Sequence, residues 1–210
     1  WGSDLKWGFS KHPPFSAFAV EIFYQFFGNQ DWAFYLLSQI FVIFSFFIVF
    51  KMAKEFFINP ILAFLSVLLL EGVFFYNYTT PEFNVNISQL PFWALSIYFT
   101  WRCKKNNKFE DYFLLGLFIG LGILSKYLFL YLVMGIYLYL FYQFFYEKKK
   151  NLNKILITSL ISILIISPHI YWLINNNFET IAYGLRRAEG IENFFDHIFF
   201  PVTFILKQIG

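Results

Sequence analysis

Apolar residues run through this chain in long blocks parted by short polar stretches, unlike the strict alternation of a half-buried strand. "FYLLSQIFVIFSFFIVF", "ILAFLSVLLLEGVFFY" and "ILITSLISILIISPHIYWL" each approach the ~20 apolar residues that cross a bilayer. The pattern predicts spans at 32–50, 60–78, 86–103, 109–125, 127–146 and 154–173. The fold class is therefore all-α, a polytopic transmembrane helical bundle of about six spans. Segment 14–27 is too short to cross and carries Glu21, Tyr24 and Gln25 on one side, so it is expected to lie along the membrane interface. Gly28-Asn29-Gln30-Asp31 breaks it, and Asp31 is placed to cap the first span.

Charge orients the set. Lys51 and Lys54 follow the first span, Arg102, Lys104, Lys105 and Lys108 the third, and Lys148, Lys149, Lys150 and Lys154 the fifth. Ten of the sixteen basic residues thus fall in alternate loops, which the positive-inside rule assigns to the cytoplasm. The hairpin from 109 to 146 must then turn near Ser125-Lys126. The opposite, outer side collects residues 1–31 as a loop with its interfacial helix and a second loop at 174–193. Between them lie the membrane helices of 32–173, and 194–210 begins a further helix. The chain opens at Trp1, has no signal peptide ahead of it, and closes soon after another apolar run starts, so it reads as an internal piece of a longer protein.

Composition narrows the chemistry. At 59% hydrophobic and 14% charged, the chain has too few charges for an ordinary soluble domain, where about a quarter of residues are charged. The 33 phenylalanines and the excess of lysine over arginine read as AT-rich coding rather than as a ligand site. The single Cys103 excludes an intrachain disulfide and a cysteine-based cluster. His12, His169 and His197 stand far apart, so no metal or other cofactor is expected. Basic residues confined to short loops disfavour nucleic acid as a partner.

The outer side holds the candidates. In "WGFSKHPPFSAF", two prolines keep the backbone extended, so Lys11 and His12 sit on a stiff arm beside Phe15. The same prolines would also suit a plain helix start. Glu82, Asn84 and Asn86 follow Pro81; Glu82 and Asn86 share a face if a helix has begun there, either as sugar-holding groups or as a carboxylate favouring the helix dipole. Lys126 is isolated among apolar residues, a cation that either snorkels or meets a phosphate. His169 and Trp172 lie on one helical face near the interface. Arg186 and Arg187 stand on the outer side against the charge rule, suited to forked phosphate recognition or simply to a basic surface loop. Lys11 and His12 are expected beside Pro81–Asn86, closing one polar pocket with them.

"WGSDLKWGFSKHPPFSAFAVEIFYQFFGNQDWAFYLLSQ" resembles the first outer loop and following helix of the GT-C membrane glycosyltransferases, in particular bacterial glycosyltransferase family 39, akin to the protein O-mannosyltransferases and the lipid A aminoarabinose transferase. Trp7, Gly8, His12, Pro13, Pro14 and Gly28 carry the match. "PEFNVNISQLPFWALSIYF", "GLGILSKYLFLYL" and "PHIYWLINNNF" resemble later segments in the same order. The resemblance implies transfer of a sugar from a polyprenyl-phosphate donor to a lipid, glycan or protein acceptor, on the outer face of a bacterial inner membrane. It also implies a catalytic acidic residue upstream of Trp1, outside this sequence, so the catalytic residue here is unknown and Asp4 is not it. Lys126, with Arg186 or Arg187, would face the lipid phosphate; Lys11, His12, Glu82, Asn84, Asn86 and His169 complete the substrate-binding set. A transporter or lipid flippase is the alternative, for which polar groups near the midplane are expected. A structural membrane subunit would explain the spans but not the outer polar groups.

Overall fold

The computed structural model describes residues 2–148, 151–188 and 195–209. The described residues form helices and connecting turns, with no strand among them. The helices are α1 (Phe15–Phe27), α2 (Asp31–Ala53), α3 (Pro60–Glu71), α4 (Phe74–Asn77), α5 (Val85–Asn106), α6 (Phe109–Ser125), α7 (Phe129–Phe145), α8 (Leu152–Asn175), α9 (Glu179–Ala188) and α10 (Asp196–Ile209).

The helices α2 and α8, with 23 and 24 residues, are long and apolar enough to cross a membrane. They match the spans expected at 32–50 and 154–173. Helix α5 has 22 residues, whereas α6 and α7 have 17 each, ~26 Å at 1.5 Å per residue. The span expected at 60–78 is not one helix. Asn59 caps α3 by accepting from the Ile61 amide, Pro60 occupies the first turn, and the helix stops at Glu71 after 12 residues. At ~18 Å it is too short for a ~30 Å hydrocarbon core, and a break at Gly72-Val73 separates it from α4. Apolarity without regard to Glu71-Gly72 overran this boundary. Asp31 likewise is the first residue of α2, whose cap position belongs to Gln30, so its carboxylate favours the helix dipole rather than capping.

The bundle is held by a seam between α6 and α8. Gly116 and Gly120 lie one turn apart on α6 and let the helices approach closely: a Cβ at Gly116 would fall 2.6 Å from the Thr158 carbonyl, and one at Gly120 would fall 2.8 Å from the Ile165 side chain. Hydroxyls close the seam. Thr158 Oγ1 donates to the Tyr112 carbonyl at 2.9 Å and Ser162 Oγ to the Gly116 carbonyl at 3.0 Å. Tyr112, Leu115, Ile119, Phe129, Leu140 and Ile155 form the adjoining core. Outward faces of α2, α3, α7 and α8 expose Phe47, Leu69, Leu138 and Leu160, as lipid-facing helices do.

The two ends of the bundle differ in content. One gathers the basic loops: Lys105 Nζ meets Glu55 at 2.5 Å, Arg102 Nε meets the buried Asp111 carboxylate at 2.7 Å, and Lys154 donates to the Asn107 carbonyl. Asn107 ends α5 in the left-handed conformation, and Asn151 Nδ2 donates to the Tyr112 hydroxyl at 3.0 Å. The other end gathers the N-terminal arm, the start of α5, the α6–α7 turn and α9.

Candidate functional site

At this second end the arm of residues 7–14 is docked on α8 and α9 through its backbone. His169, on α8, is 1% exposed and spends both ring nitrogens. Its Nδ1 lies 2.5 Å from the Trp7 carbonyl, which can only accept, so Nδ1 carries the proton. In the neutral ring Nε2 must then accept, and the Tyr127 hydroxyl donates to it at 2.6 Å. Trp172, one turn further along α8, stacks with His169 at 6.1 Å and 11°. The indole lies against Gly8, where a Cβ would come within 2.2 Å of the ring. The Trp-Gly pair thus has a physical meaning: a carbonyl for His169 and a bare backbone for Trp172. Thr180, on α9, adds a third clamp by donating from Oγ1 to the Phe9 carbonyl at 2.6 Å.

Beyond the clamp the prolines do what either reading of their sequence allows. Pro13 and Pro14 are buried, the Pro14 carbonyl accepts from the Phe18 amide, and α1 starts at Phe15, which packs edge-on against Phe92 at 4.9 Å. Lys11 and His12 are carried along one wall of a groove of about 820 Å³. Ile123, Leu128, Leu130 and Met134 make much of its remaining lining, with Tyr127 and Tyr131 beside them. The α6–α7 break falls at Lys126–Leu128, where the hairpin is expected to turn, and sets Lys126 at the groove. Its ammonium donates to Asn86 Oδ1 at the start of α5. Lys11 lies 5.9 Å from the Tyr183 ring, a cation–π contact from the arm to α9.

The structure therefore distributes the expected site residues over several places. Lys11, His12 and Lys126 share the groove, and Asn86 joins it through Lys126. Asn84 is the N-cap of α5, accepting from the Asn86 and Ile87 amides. The helix starts at Val85, so Glu82 precedes it, and Glu82 and Asn86 do not share a helical face. Glu82 lines a different hollow, with Asp31, Phe34, Tyr35 and Phe83, so the single pocket expected for His12 and Glu82 is two. His169 lies behind the groove, linked to it through Tyr127. Arg186 is exposed on α9, and Arg187 is part of that helix with its side chain outside the described residues. Tyr127, Tyr131, Thr180 and Tyr183 were not singled out from sequence; the "SKY" tripeptide was the available signal for Tyr127, while the others read as interfacial aromatics or loop residues. No group of three or more His, Cys, Asp or Glu able to hold a metal occurs among the described residues.

The arrangement sets cations among the lining of a largely apolar groove, a combination suited to an amphiphile with an anionic head. Searches of curated proteins and of solved structures found no match. Residues 11–172, from the lysine of the arm to the tryptophan that closes on it, match the family model described as dolichyl-phosphate-mannose-protein mannosyltransferase, and with most of its length matched the chain belongs to this GT-C family of membrane glycosyltransferases.

Proposed function

We propose that the chain forms the donor-binding part of a transferase that moves a sugar from a polyprenyl-phosphate carrier to an acceptor on the outer face of the membrane. The observation that carries this reading is the groove itself, with aliphatic and aromatic walls for an isoprenoid chain and Lys126 and Lys11 for its phosphate. Lysine supplies a compact charge that offsets the negative charge developing on a departing phosphate oxygen. The Lys126–Asn86 bond holds that charge in place before the lipid arrives, which reduces the ordering left to binding. Arg186, exposed on α9 at the same end, adds long-range attraction for the headgroup.

Orientation follows from the basic loops gathered at the far end of the bundle, which the positive-inside rule puts in the cytoplasm. In a Cys103→Ser background, a cysteine at Asn106 should react with an impermeant maleimide only from the cytoplasmic side, and one at Asn176 only from outside. Reaction of Asn106→Cys from outside would overturn the orientation. For the donor, undecaprenyl phosphate should bind the chain in nanodiscs, and Lys126→Ala should weaken it. Equal affinity of wild type, Lys126→Ala, Arg186→Ala and the double variant would refute the phosphate assignment.

A further inference from the structure

Two hydroxyls in the lining of the groove have their protons committed to the protein behind it. Tyr127 lines the groove from the α6–α7 break and Thr180 from α9. The Tyr127 hydroxyl donates to His169 Nε2 at 2.6 Å, because Nδ1 of that ring already gives its proton to the Trp7 carbonyl. The Thr180 hydroxyl donates to the Phe9 carbonyl, also at 2.6 Å. A hydroxyl has one proton and two lone pairs, so each of these oxygens is left able only to accept from a ligand. The Thr180 side chain also reaches the Tyr127 phenol, so the two acceptors form one patch.

His169 sets this polarity. A buried imidazolium needs an anionic partner, and the described contacts of the ring are a carbonyl, a phenol and the stacked Trp172 indole. The neutral ring with its proton on Nδ1 satisfies those contacts. It presents one acceptor, which holds the Tyr127 proton away from the groove. Lys11 and Lys126 have the opposite character, since an ammonium only donates. Lys126 and Tyr127 adjoin in the chain, so the donating and accepting parts of the groove meet at the α6–α7 break.

We infer that the oxygens of Tyr127 and Thr180 receive hydroxyl groups of the donor's sugar, with His169 the positioning residue that keeps the Tyr127 proton turned inward. The assignment rests on the polyprenyl-phosphate reading above. In a glycosyl phosphate the sugar hydroxyls, which donate, stand a few bonds from the phosphate oxygens, which accept. A lysine beside a pair of acceptors matches that order, with the phosphate on Lys126 and the hydroxyls on Tyr127 and Thr180. A phosphate oxygen set against the same two oxygens would meet lone pair with lone pair. The patch therefore separates the loaded carrier from the spent one. A bare polyprenyl phosphate satisfies the lysines but leaves the two acceptors covered and unpaired, which weakens its hold after transfer.

The test titrates the chain in nanodiscs with undecaprenyl phosphate, its mannosyl ester and octyl mannoside, mannose being the sugar of the matched family model. The mannosyl lipid should bind the wild type about tenfold more tightly than the bare lipid. Tyr127→Phe keeps the ring and should erase most of that preference by weakening the mannosyl lipid alone. His169→Leu frees the Tyr127 proton to turn into the groove and should lower the same ratio, whereas lost packing would act on both lipids alike. Should either variant fail to fold, the wild type is titrated with mannosyl lipids whose ring hydroxyls are replaced in turn by fluorine, which cannot donate. At least one of these should bind about fivefold more weakly. Equal affinity of the wild type for bare and mannosyl lipids, no loss with any fluorinated lipid, or equal weakening of both lipids by Tyr127→Phe overturns the inference and leaves the transferase reading standing. Octyl mannoside binding that depends on Tyr127 when mannosyl lipid binding does not would give the oxygens to an acceptor's hydroxyl and overturn the donor assignment. Failure of both lipids to bind the wild type would sink the transferase reading and the inference with it.

Discussion

At the basic-loop end of the bundle, charge is consumed internally; at the arm end it is presented. Asp111 is buried and occupied by Arg102, with Asn106 Nδ2 donating to its second oxygen at 3.3 Å, and Lys154 closes on the Asn107 carbonyl. Lys51 and Lys104 lie over the rings of Tyr98 and Tyr139. At the arm end Lys11 and Lys126 keep one contact each within the fold, to the Tyr183 ring and to Asn86, and also line an open groove, while Glu71 and Glu82 line open hollows. A polar group that is satisfied within the fold contributes to shape, while one set on a concave surface is available to a ligand. Sequence charge alone does not separate the two kinds.

The largest effect expected from this contrast is at the closed end. Asp111→Ala leaves the Arg102 charge and Asn106 without their carboxylate, and should cost about 3 kcal/mol of stability in thermal unfolding of the detergent-solubilised chain. Undecaprenyl phosphate binding at a temperature where the variant stays folded should hold. Loss of lipid affinity there would mean that the ends are coupled rather than divided.

Next comes the clamp. Gly8→Ala drives a methyl into the Trp172 ring and should cost about 2 kcal/mol by overpacking, while releasing the arm. The double variant with Trp172→Ala should recover part of the arm's protection against protease. Independent, additive losses would show that the contact does not hold the arm.

Lys126→Ala should change binding instead of folding, weakening undecaprenyl phosphate about tenfold, which corresponds to ~1.4 kcal/mol. A stability loss as large as that of Asp111→Ala would place Lys126 with the internally spent charges. The smallest effect belongs to the surface pair of Glu55 and Lys105. The hydrogen bond from the Lys105 ammonium holds the Glu55 carboxyl below its ordinary range. The pair therefore contributes its full stability above the ordinary carboxylate pKa and loses it as pH falls through the lowered folded value. Solvent screening limits the contribution to about 0.5 kcal/mol, so Glu55→Gln should flatten the acid limb of a melting-temperature profile only slightly. A shift comparable to that of Asp111→Ala would show the pair to be shielded from water.

Much of the helix register was legible because apolar runs are local signals. The ends of α2 and α8, the turn at Lys126 and the start of α1 after Pro14 all fell close to where composition, proline and charge put them. The failure at 60–78 has a local cause as well: Glu71-Gly72 interrupts the run, and a window that averages hydropathy passes over two residues. The site was legible only as a set of polar residues on one side. Helical spacing places His169 beside Trp172, but not its other partners: the Trp7 carbonyl and the Tyr127 hydroxyl are 162 and 42 residues away.

The sequence by itself determined that the chain is helical and membrane-borne, since a bilayer demands apolar side chains and internally satisfied backbone whatever the neighbours are. The order of the Trp-Gly, Pro-Pro and later segments was likewise enough for the family. Tertiary structure alone decided which polar groups meet. Lys126 on Asn86, Trp172 on Gly8 and the division of His12 from Glu82 depend on how helices pack and which faces they turn to one another. That packing arises from close contacts such as Gly116 against Thr158, which no periodicity along the chain encodes.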